Sequence, residues 1–469
     1  MGNSGLAPDV LIIGSGPAGL FCAGQLLEAG AGDVLVIEQG KTMGRRTCPD
    51  TALCDCRPCD VLEGEGGAGS FSDGEITLSP TRGTHGKHLF TPGQAQLLAR
   101  IEQIIRQFAP AVADYPPIEA LTALSGHEDT GLAFDSYPLI HLGSDGIRDF
   151  GHAYTAHLRQ AGVRLAMGTQ ATRLLASDGQ VTGAVVWDRH TRTETVITAS
   201  HVVVACGLAG AAWLEDQLRA AGVRLRTGPA DFGIRLETTT TALRTFTGEF
   251  YDFKLSRADD GIGLRSFCVN GDGYIAAEYH RGLGIRGVNG HSYLSRSSGQ
   301  SNLAIVATIT EDHHADPKAY VRQLAAKVNE AAGGYPIRQQ LGDLLPGCAP
   351  PAGVQVTNPK TRPGRLQEIL PGYLLDAFRG YIEALGHVEP AVLAADGLVY
   401  APEIKYYAYQ VPVDAGWQST DIQGMYVIGN AAGYTASLSA AALTGIIAAD
   451  TITAGTPAAR DRKRAVHDS

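Results

Sequence analysis

The sequence has no basic block: 38 Lys and Arg stand against 48 Asp and Glu, giving a net charge of −10 and a pI near 5.8. A surface that neutralises phosphates needs clustered cations, so this balance argues against a nucleic-acid partner. No cationic segment precedes an apolar run at the start, MGNSGLAPDV, so no secretory signal is read there. Leu6 stands where a myristoylation signal carries Ser or Thr. The uncharged stretch Ile422 to Ala449 has Gly, Ser, Thr, Asn and Ala through its middle. It reads as a buried strand, a small-residue turn and a helix rather than a membrane span. A soluble, cytoplasmic chain with no membrane partner is expected. What is abundant is glycine, 58 of 469 residues, and apolar residues, 44%. That length allows two or three domains, and that composition excludes disorder.

The chain is organised around DVLIIGSGPAGLFCAGQLLEAGAGDVLVIEQ, beginning at Asp9. Asp9 to Ile13 is a short apolar run of the kind buried in a parallel sheet. Gly14, Gly16 and Gly19 follow as G-x-G-x-x-G at a strand-to-helix junction. The first permits a tight turn, the second lets backbone approach a pyrophosphate, and the third lets the helix pack on the strand. The helix N-terminus offers unpaired N–H groups and a partial positive charge. A second strand, Val34 to Ile37, delivers Glu38, whose carboxylate suits a ribose 2′-hydroxyl and repels a 2′-phosphate. The dinucleotide is therefore FAD or NAD, not NADP. Two more copies of the pattern, from Gly64 and from Gly282, are followed by no helical period.

Beyond Glu38 and Gln39 an irregular segment holds Cys48, Cys54, Cys56 and Cys59. GEGGAGSFSDG then places Gly67, Ala68, Ser70, Ser72 and Asp73 in a loop that reads either as a cofactor contact or as a plain flexible turn. Helices are expected from Pro92 to Phe108 and from a cap at Ser144 to about Ala161. Five short strands follow between Val163 and Ala205, the last ending on small residues through Cys206 to Gly207, as close backbone approach requires. From about Asp231 the chain turns to short strands, with helices at Pro317–Ala331 and Gly372–Leu385. Met425 to Ile452 repeats the opening logic of strand, glycine turn and helix. The tail from Pro457 is charged and expected to fray.

These blocks, in this order, resemble the flavoprotein superfamily with two dinucleotide-binding domains, and within it the generic bacterial FAD-dependent dehydrogenases. The matching stretches span nearly the whole chain: the opening fingerprint, the cysteine-rich lead into GGAGSFSDGEITL, FGIRLE, RSFCVNGDGYIAAE, VNGHS with SGQSNLAIV, LVYAPEIKYYA and GMYVIGNAAG. The resemblance implies an α/β fold: a discontinuous Rossmann-like FAD-binding domain with a second, sheet-based α+β substrate domain. The parts are expected at 1–90, 146–215 and 396–455 for the FAD domain, 91–145 for an insertion or cap, 216–395 for the substrate domain and 456–469 for the tail. It further implies that Gly14, Ser15, Gly16, Pro17, Ala18 and Gly19 hold the FAD pyrophosphate and Glu38 its ribose. Ala171 would lie by the adenine, Ala205 and Gly207 at the cofactor edge, and Gly429 and Asn430 on the pyrophosphate and ribityl chain. The helix near Ser437, with Ser439 and Ala440 in its first turn, would face the flavin. Asn430 stands where the superfamily usually has Asp, so that contact carries no charge.

A flavin takes the hydride, so the protein need only orient substrate and move a proton. Glu278 and His280 share a strand face at spacing two, as an acid/base pair or as a solvent-facing pair on an edge strand. Glu403 and Lys405 have the same spacing just before the last cofactor motif, where they would line a substrate cavity. Arg235 would bind a substrate carboxylate or pair with an acid such as Glu237. The four clustered cysteines read as reduced structural thiols, as a redox-active pair among Cys54, Cys56 and Cys59, or as a zinc or iron–sulfur site. No metal site is expected from any other cluster.

The leading expectation is an FAD-dependent oxidoreductase moving a hydride from a small molecule to flavin N5. The reoxidant would be oxygen, another acceptor or a transiently bound nicotinamide, with NAD(P)H or oxygen as the redox partner, since the middle region holds no second strand–glycine–helix unit. A flavin dithiol–disulfide reductase, an NAD(P)H-dependent reductase or monooxygenase, and a non-enzymatic redox sensor are the alternatives.

Overall fold

In the computed structural model, residues 6–48, 56–86, 88–119, 124–247, 252–259 and 261–454 are described. Cys54 and the tail 456–469 lie outside them. The chain forms two compact units: 1–112, 146–226 and 407–469 make the first, and 113–145 and 227–406 the second. This corrects the expected boundaries. Residues 91–112 belong with the first unit rather than to a separate cap, and the segment up to Tyr406 belongs with the second.

The first unit is built on β1 (Val10–Ile13), α1 (Pro17–Glu28), β2 (Val34–Glu38), α2 (Ala95–Phe108), α3 (Gly143–Gln160), β3 (Arg164–Met167), β4 (Thr169–Ser177), β5 (Gln180–Asp188), β6 (Thr193–Thr198), β7 (His201–Val204), α4 (Ala211–Ala220), β8 (Met425–Val427) and α5 (Leu438–Ala454). Five strands form one parallel sheet in the order β8-β7-β1-β2-β3. Val10 pairs with both Val34 and His201, Val202 with Met425, and Leu35 with Arg164. The β-branched runs VLII, VLVIE, HVVV and MYV suit central strands covered on both faces. β4, β5 and β6 make a separate antiparallel sheet.

Helices α1 and α5 approach closely, because a Cβ on Gly445 would lie 2.2 Å from the Ala18 carbonyl oxygen. α5 is buried nearly all round, as its Ala-rich, uncharged sequence requires. α3 begins one residue before the expected cap. Ser144 therefore sits inside the first turn, and its hydroxyl lies 3.0 Å from His291 Nδ1.

The second unit carries an eight-stranded, mostly antiparallel sheet. Its order is Arg362–Pro363, Ile337–Gln340, Leu398–Lys405, Ala230–Thr239, Gln300–Ile309, Ile262–Asn270, Lys254–Asp259 and Ala133–Asp135. In the central strand Ala230–Thr239 the period of two divides the faces. Phe232, Ile234 and Leu236 enter the hydrophobic core, while Asp231, Arg235 and Glu237 point the other way. Helices Pro317–Ala331 and Gly372–Val388 contribute Val321, Leu324, Phe378 and Ile382 to that core. Over the polar face lies the hairpin Tyr274–His280 with Ile285–His291, whose Ile275 and Val288 pack on Leu398 and Tyr400.

Ile305 lies in the middle of this sheet, fully buried among Phe232, Ile234 and their neighbours. Ile305→Ala is expected to cost about 2–5 kcal/mol, because a packed strand cannot collapse into the space left behind. A urea titration checks this; an unchanged midpoint contradicts the packing described.

Candidate cofactor cradle and catalytic cluster

In the first unit the strand-to-helix turn assigns each glycine its own task. A Cβ on Gly14, whose φ is +108°, would stand 2.4 Å from the Ala205 carbonyl oxygen, and one on Gly19 would stand 2.1 Å from that of Gly14. Both positions are closed by backbone. A Cβ on Gly16 would meet nothing nearer than the Gly67 Cα at 3.9 Å, so the space before it is open. Gly16 is also the N-cap of α1, and no side chain caps that end. An uncapped helix start beside an open glycine is where a pyrophosphate gains backbone N–H donors and the helix dipole. β1, β7 and β8 all end here, with Ala205 N–H donating to Ile13 and Ile428 N–H to Val204.

Other expected contacts are differently arranged. Glu38 is buried, and its carboxylate accepts from Ser15 N and Oγ at 3.0 Å each, Gly40 N at 2.9 Å and Gly64 N at 3.0 Å. A carboxylate has about four lone-pair sites, and all are taken. The expected ribose grip is thus replaced by a structural one: Glu38 ties the glycine turn to the loop from Gly64. Ser70 is buried, with Oγ 2.0 Å and 2.5 Å from where Gly66 and Gly151 would carry Cβ atoms, so both neighbours must be glycine. Ser72 Oγ donates to the Gly69 carbonyl at 2.8 Å, and Asp73 Oδ1 accepts from Glu75 N at 3.3 Å. Gly67, with φ +61°, and Ala68 form the start of a short 3-10 turn facing Pro17 and Gly16.

The loop is pinned by Arg46, which sequence reasoning missed. Its guanidinium donates to the carbonyls of Asp60, Val61 and Gly67 at 2.9 Å each, and to that of Glu65. Burial pushes Arg46 down to about 10, against the pull of Glu38 and Asp60, so it stays charged at neutral pH. The one sequence signal was an Arg pair shortly before a glycine-rich loop. The flexible reading of that loop is overturned by these bonds.

At the same edge of the sheet, after β8, Gly429, φ +64°, donates its N–H to Thr444 Oγ1 at 2.9 Å, and Asn430 Oδ1 accepts from Thr435 at 2.8 Å. Ser437 Oγ accepts from Ala440 N at 3.1 Å and lies 3.4 Å from Ser439 Oγ, so the first turn of α5 is capped. Ala171 is buried in β4, Gln39 is half-buried, Ala18 packs beneath Gly429, and a Cβ on Gly207 would meet nothing. The residues present fit FAD at the Gly16 turn. Cys59 is buried without a disulfide, and burial pushes the Cys206 thiol up to about 12. The Cys206 thiol is therefore not an activated thiolate.

In the second unit all five candidate catalytic residues converge. Arg235 is fully buried and forms a bidentate pair with Glu403, Nε to Oε2 at 2.6 Å and Nη2 to Oε1 at 2.8 Å. Its Nη1 donates to the Cys268 carbonyl at 3.0 Å, Asn270 Oδ1 at 3.2 Å and Asn302 Oδ1 at 2.6 Å, and Nη2 reaches Asn289 Oδ1 at 3.4 Å. The guanidinium is spent internally, which corrects the expectation that it binds a substrate carboxylate. Its partner is Glu403 and not Glu237, whose carboxylate instead accepts from Tyr400 at 2.6 Å and from Thr357. The three asparagines carried no sequence signal beyond their place on short strands.

Glu403 also accepts from Lys405 Nζ at 3.0 Å, and that ammonium lies 4.7 Å from the Phe267 ring centre. Burial would raise Glu403, but Arg235 and Lys405 outweigh it and hold the carboxyl below its ordinary value. Burial would lower Lys405, but Glu403 and Glu278 outweigh it and hold the ammonium charged. His280 lies opposite: burial pulls it below the ordinary histidine value despite Glu278, with Lys405 helping, so the ring is neutral near pH 7. His280 Nε2 and Glu278 Oε2 stand 3.6 Å apart, and each is a buried atom without a hydrogen-bond partner. The plain solvent-facing reading of this pair is corrected, since the two side chains are only 14% and 30% exposed.

The parallel sheet, the glycine turn and the helix start define a dinucleotide-binding α/β protein. Residues 9–48 and 147–253 match the FAD binding domain family, and residues 246–405 match the family described as FAD-dependent protein, C-terminal domain-like. The match to the FAD binding domain family assigns FAD as the cofactor. It is 24% identical to an uncharacterized protein of Clostridium beijerinckii, over 94% of this chain and 80% of the relative. Among solved structures it is similar to a flavoprotein/dehydrogenase of Cytophaga hutchinsonii, at 13% identity over 96% of this chain and 78% of that one, TM-score 0.42. A myxobacterial chondrochloren halogenase matches at 12% identity over 98% and 78%, TM-score 0.43. No helix among the described residues is long and apolar enough to cross a membrane.

Two outcomes test this geometry. Gly16→Ala is expected to weaken FAD binding by about tenfold or more with the apoprotein's urea midpoint unchanged, whereas Gly19→Ala lowers that midpoint as well; equal flavin affinity in Gly16→Ala contradicts the cradle. Arg235→Met leaves Glu403 buried beside Lys405 alone and is expected to cost about 3–5 kcal/mol. Glu403 sits below its unfolded value, so the pair's contribution is present at neutral pH and is lost as pH falls through the folded value. The gap between wild type and Arg235→Met, followed by urea titration, should therefore shrink toward acid; a gap that widens contradicts the ion pair.

Proposed function

We propose that the protein oxidises a small neutral alcohol or amine: FAD held at the Gly16 turn would supply the hydride acceptor at N5, and His280 would take the substrate's proton. The observation that supports this most is the pair of buried, unpartnered atoms, His280 Nε2 and Glu278 Oε2, beside a permanently charged Lys405. Two cations, Arg235 and Lys405, balance two carboxylates, Glu403 and Glu278, so the cluster is electrically neutral while His280 is uncharged. A neutral substrate keeps that balance, whereas an anionic one would break it in a buried setting.

Bound FAD supplies the two-electron, hydride-accepting centre. The chain's own groups do the rest. Neutral His280 accepts the O–H or N–H proton at Nε2 as the C–H bond gives up its electron pair and the C=O or C=N bond forms. Glu278, whose Oε2 stands 3.6 Å from that nitrogen, faces the proton once His280 carries it and stabilises the imidazolium. Lys405 donates to the oxygen or nitrogen on which negative charge grows, and its charge does not change during the step. Arg235 and the asparagines around it hold Glu403, and through Glu403 they hold Lys405. The purified holoprotein, challenged anaerobically with alcohols and amines, should lose its visible flavin absorbance.

His280→Gln is expected to slow that bleaching by about 10²–10⁴-fold without releasing FAD. In the wild type the rate should fall as pH drops through a midpoint below about 6.5, because protonated His280 accepts nothing. A rate that rises toward acid counts against His280 as base. Rapid bleaching by NADPH, with none by any alcohol or amine, would move the reading to a reductase or monooxygenase.

A further inference from the structure

On the strand Ile262–Asn270 the period of two sends Ile262 and Leu264 into the core and leaves Arg265 and Phe267 on the polar face. Phe267 pairs with Ala304, and Ala304 pairs with Arg235, so the ring lies two strands from the Arg235–Glu403 pair. A half-buried phenyl ring is out of pattern among such charged groups. Its surroundings are cationic. Lys405 Nζ lies over the ring 4.7 Å from its centre, Lys254 Nζ 5.0 Å and the Arg265 guanidinium 5.9 Å. The chain has eight lysines, and two of them share this one ring.

Each cation has its own carboxylate, so the ring is not needed to balance charge. Arg265 Nη2 meets Asp231 Oδ2 at 2.6 Å, and its Nη1 donates to Thr308 Oγ1 at 2.6 Å. Lys254 donates to Asp252 at 2.6 Å, and Asp252 is fixed in turn by Val269 N–H at 3.0 Å and by the Tyr137 hydroxyl. Lys405 is tethered differently. Its carboxylate oxygen, Glu403 Oε1 at 3.0 Å, also accepts from Arg235 Nη2 at 2.8 Å. An oxygen shared by two cations is a weaker hold on a lysine, whose stem is long and flexible. The aromatic face supplies a second hold. Its attraction for an ammonium is strongest where water is excluded, and the Lys405 side chain is 13% exposed. An ammonium has three N–H donors, and a ring face engages the charge without taking them as a carboxylate or carbonyl would.

We infer that Phe267 is a positioning residue of the reaction: its ring face holds the Lys405 ammonium where that group can donate to the substrate's oxygen or nitrogen. The inference rests on the role proposed for Lys405 above. With two ammoniums over it, the ring is not a platform on which substrate stacks.

Phe267→Leu and Phe267→Met keep apolar bulk and lose the ring face, whereas Phe267→Tyr keeps the face. The first arm of the test needs no substrate. The holoprotein is treated with cyanate at mildly alkaline pH. Carbamylation consumes neutral amines alone, and it is read at each lysine by mass spectrometry. Relative to the exposed Lys327, Lys405 is expected to react about tenfold faster in the Leu and Met variants than in the wild type, and at the wild-type rate in Phe267→Tyr. In the second arm flavin bleaching is followed across substrate concentration. The Leu and Met variants should lower the limiting rate about tenfold while FAD is retained and the half-saturating concentration stays within about twofold, and Phe267→Tyr should restore the rate. Unchanged labelling of Lys405 overturns the inference, as does raised labelling with an unchanged limiting rate. An equal loss in Phe267→Tyr overturns it too, because that marks a packing role. If no alcohol or amine bleaches the wild type, the reading of the reaction falls, and the labelling arm still decides whether the ring holds Lys405. Two non-aromatic variants keep the test readable if one does not fold.

Discussion

The first unit depends on one steric fact: at the turn after β1, two glycines are closed by backbone and one is open. Gly14 lies under the Ala205 carbonyl, and Gly19 lies on Gly14 itself. That contact draws α1 down onto the strand and aims its uncapped start past Gly16. Around this turn the fold is arranged to leave the opening in place. Glu38 uses all of its lone pairs on the turn and the Gly64 loop, and Arg46 gathers four carbonyls of that loop. The buried charges here serve geometry. They hold backbone that has no side chains of its own to hold it.

The second unit solves a different problem, which is to keep a reactive charge buried without neutralising it. The strand period of two sends apolar residues to one face and Asp231, Arg235, Glu237, Glu403 and Lys405 to the other. Arg235 satisfies its five N–H groups inside the protein and meets Glu403 with its fork geometry, which a lysine would not do. Lys405 makes one contact with Glu403, and Glu278 of the hairpin adds to the field that keeps it charged. The same burial that keeps His280 neutral would be ruinous for an unpaired Lys405. One environment thus sets two different protonation states.

Much of this was legible in the residues. G-x-G-x-x-G between an apolar run and a helical period led directly to the turn at Gly14–Gly19, because glycine placement there is local physics. Helix limits such as Pro317–Ala331 were legible from periodicity and from proline at the start. The candidate pairs Glu278/His280 and Glu403/Lys405 were also visible as i, i+2 spacings, but that they converge on one place was not. Convergence comes from strand order, and sequence neighbours do not reveal that Leu398–Lys405 lies beside Ala230–Thr239. For the same reason Arg235 was matched with the wrong acid, and residues 396–406 were placed in the wrong unit. Arg46 was hidden because its partners are carbonyls, which have no residue identity to read. Glu38 was read through the ribose contact that its position suggests, while its true partners are backbone amides and one serine.

The account stands on a flavin held at the Gly16 turn, and the most direct measurement is the stoichiometry of FAD on the purified chain, by visible absorbance after titration of the apoprotein. One FAD per chain, displaced when a side chain is placed at Gly16, is the predicted result. A colourless protein that takes up no added FAD, or one whose flavin content is indifferent to Gly16, would contradict it.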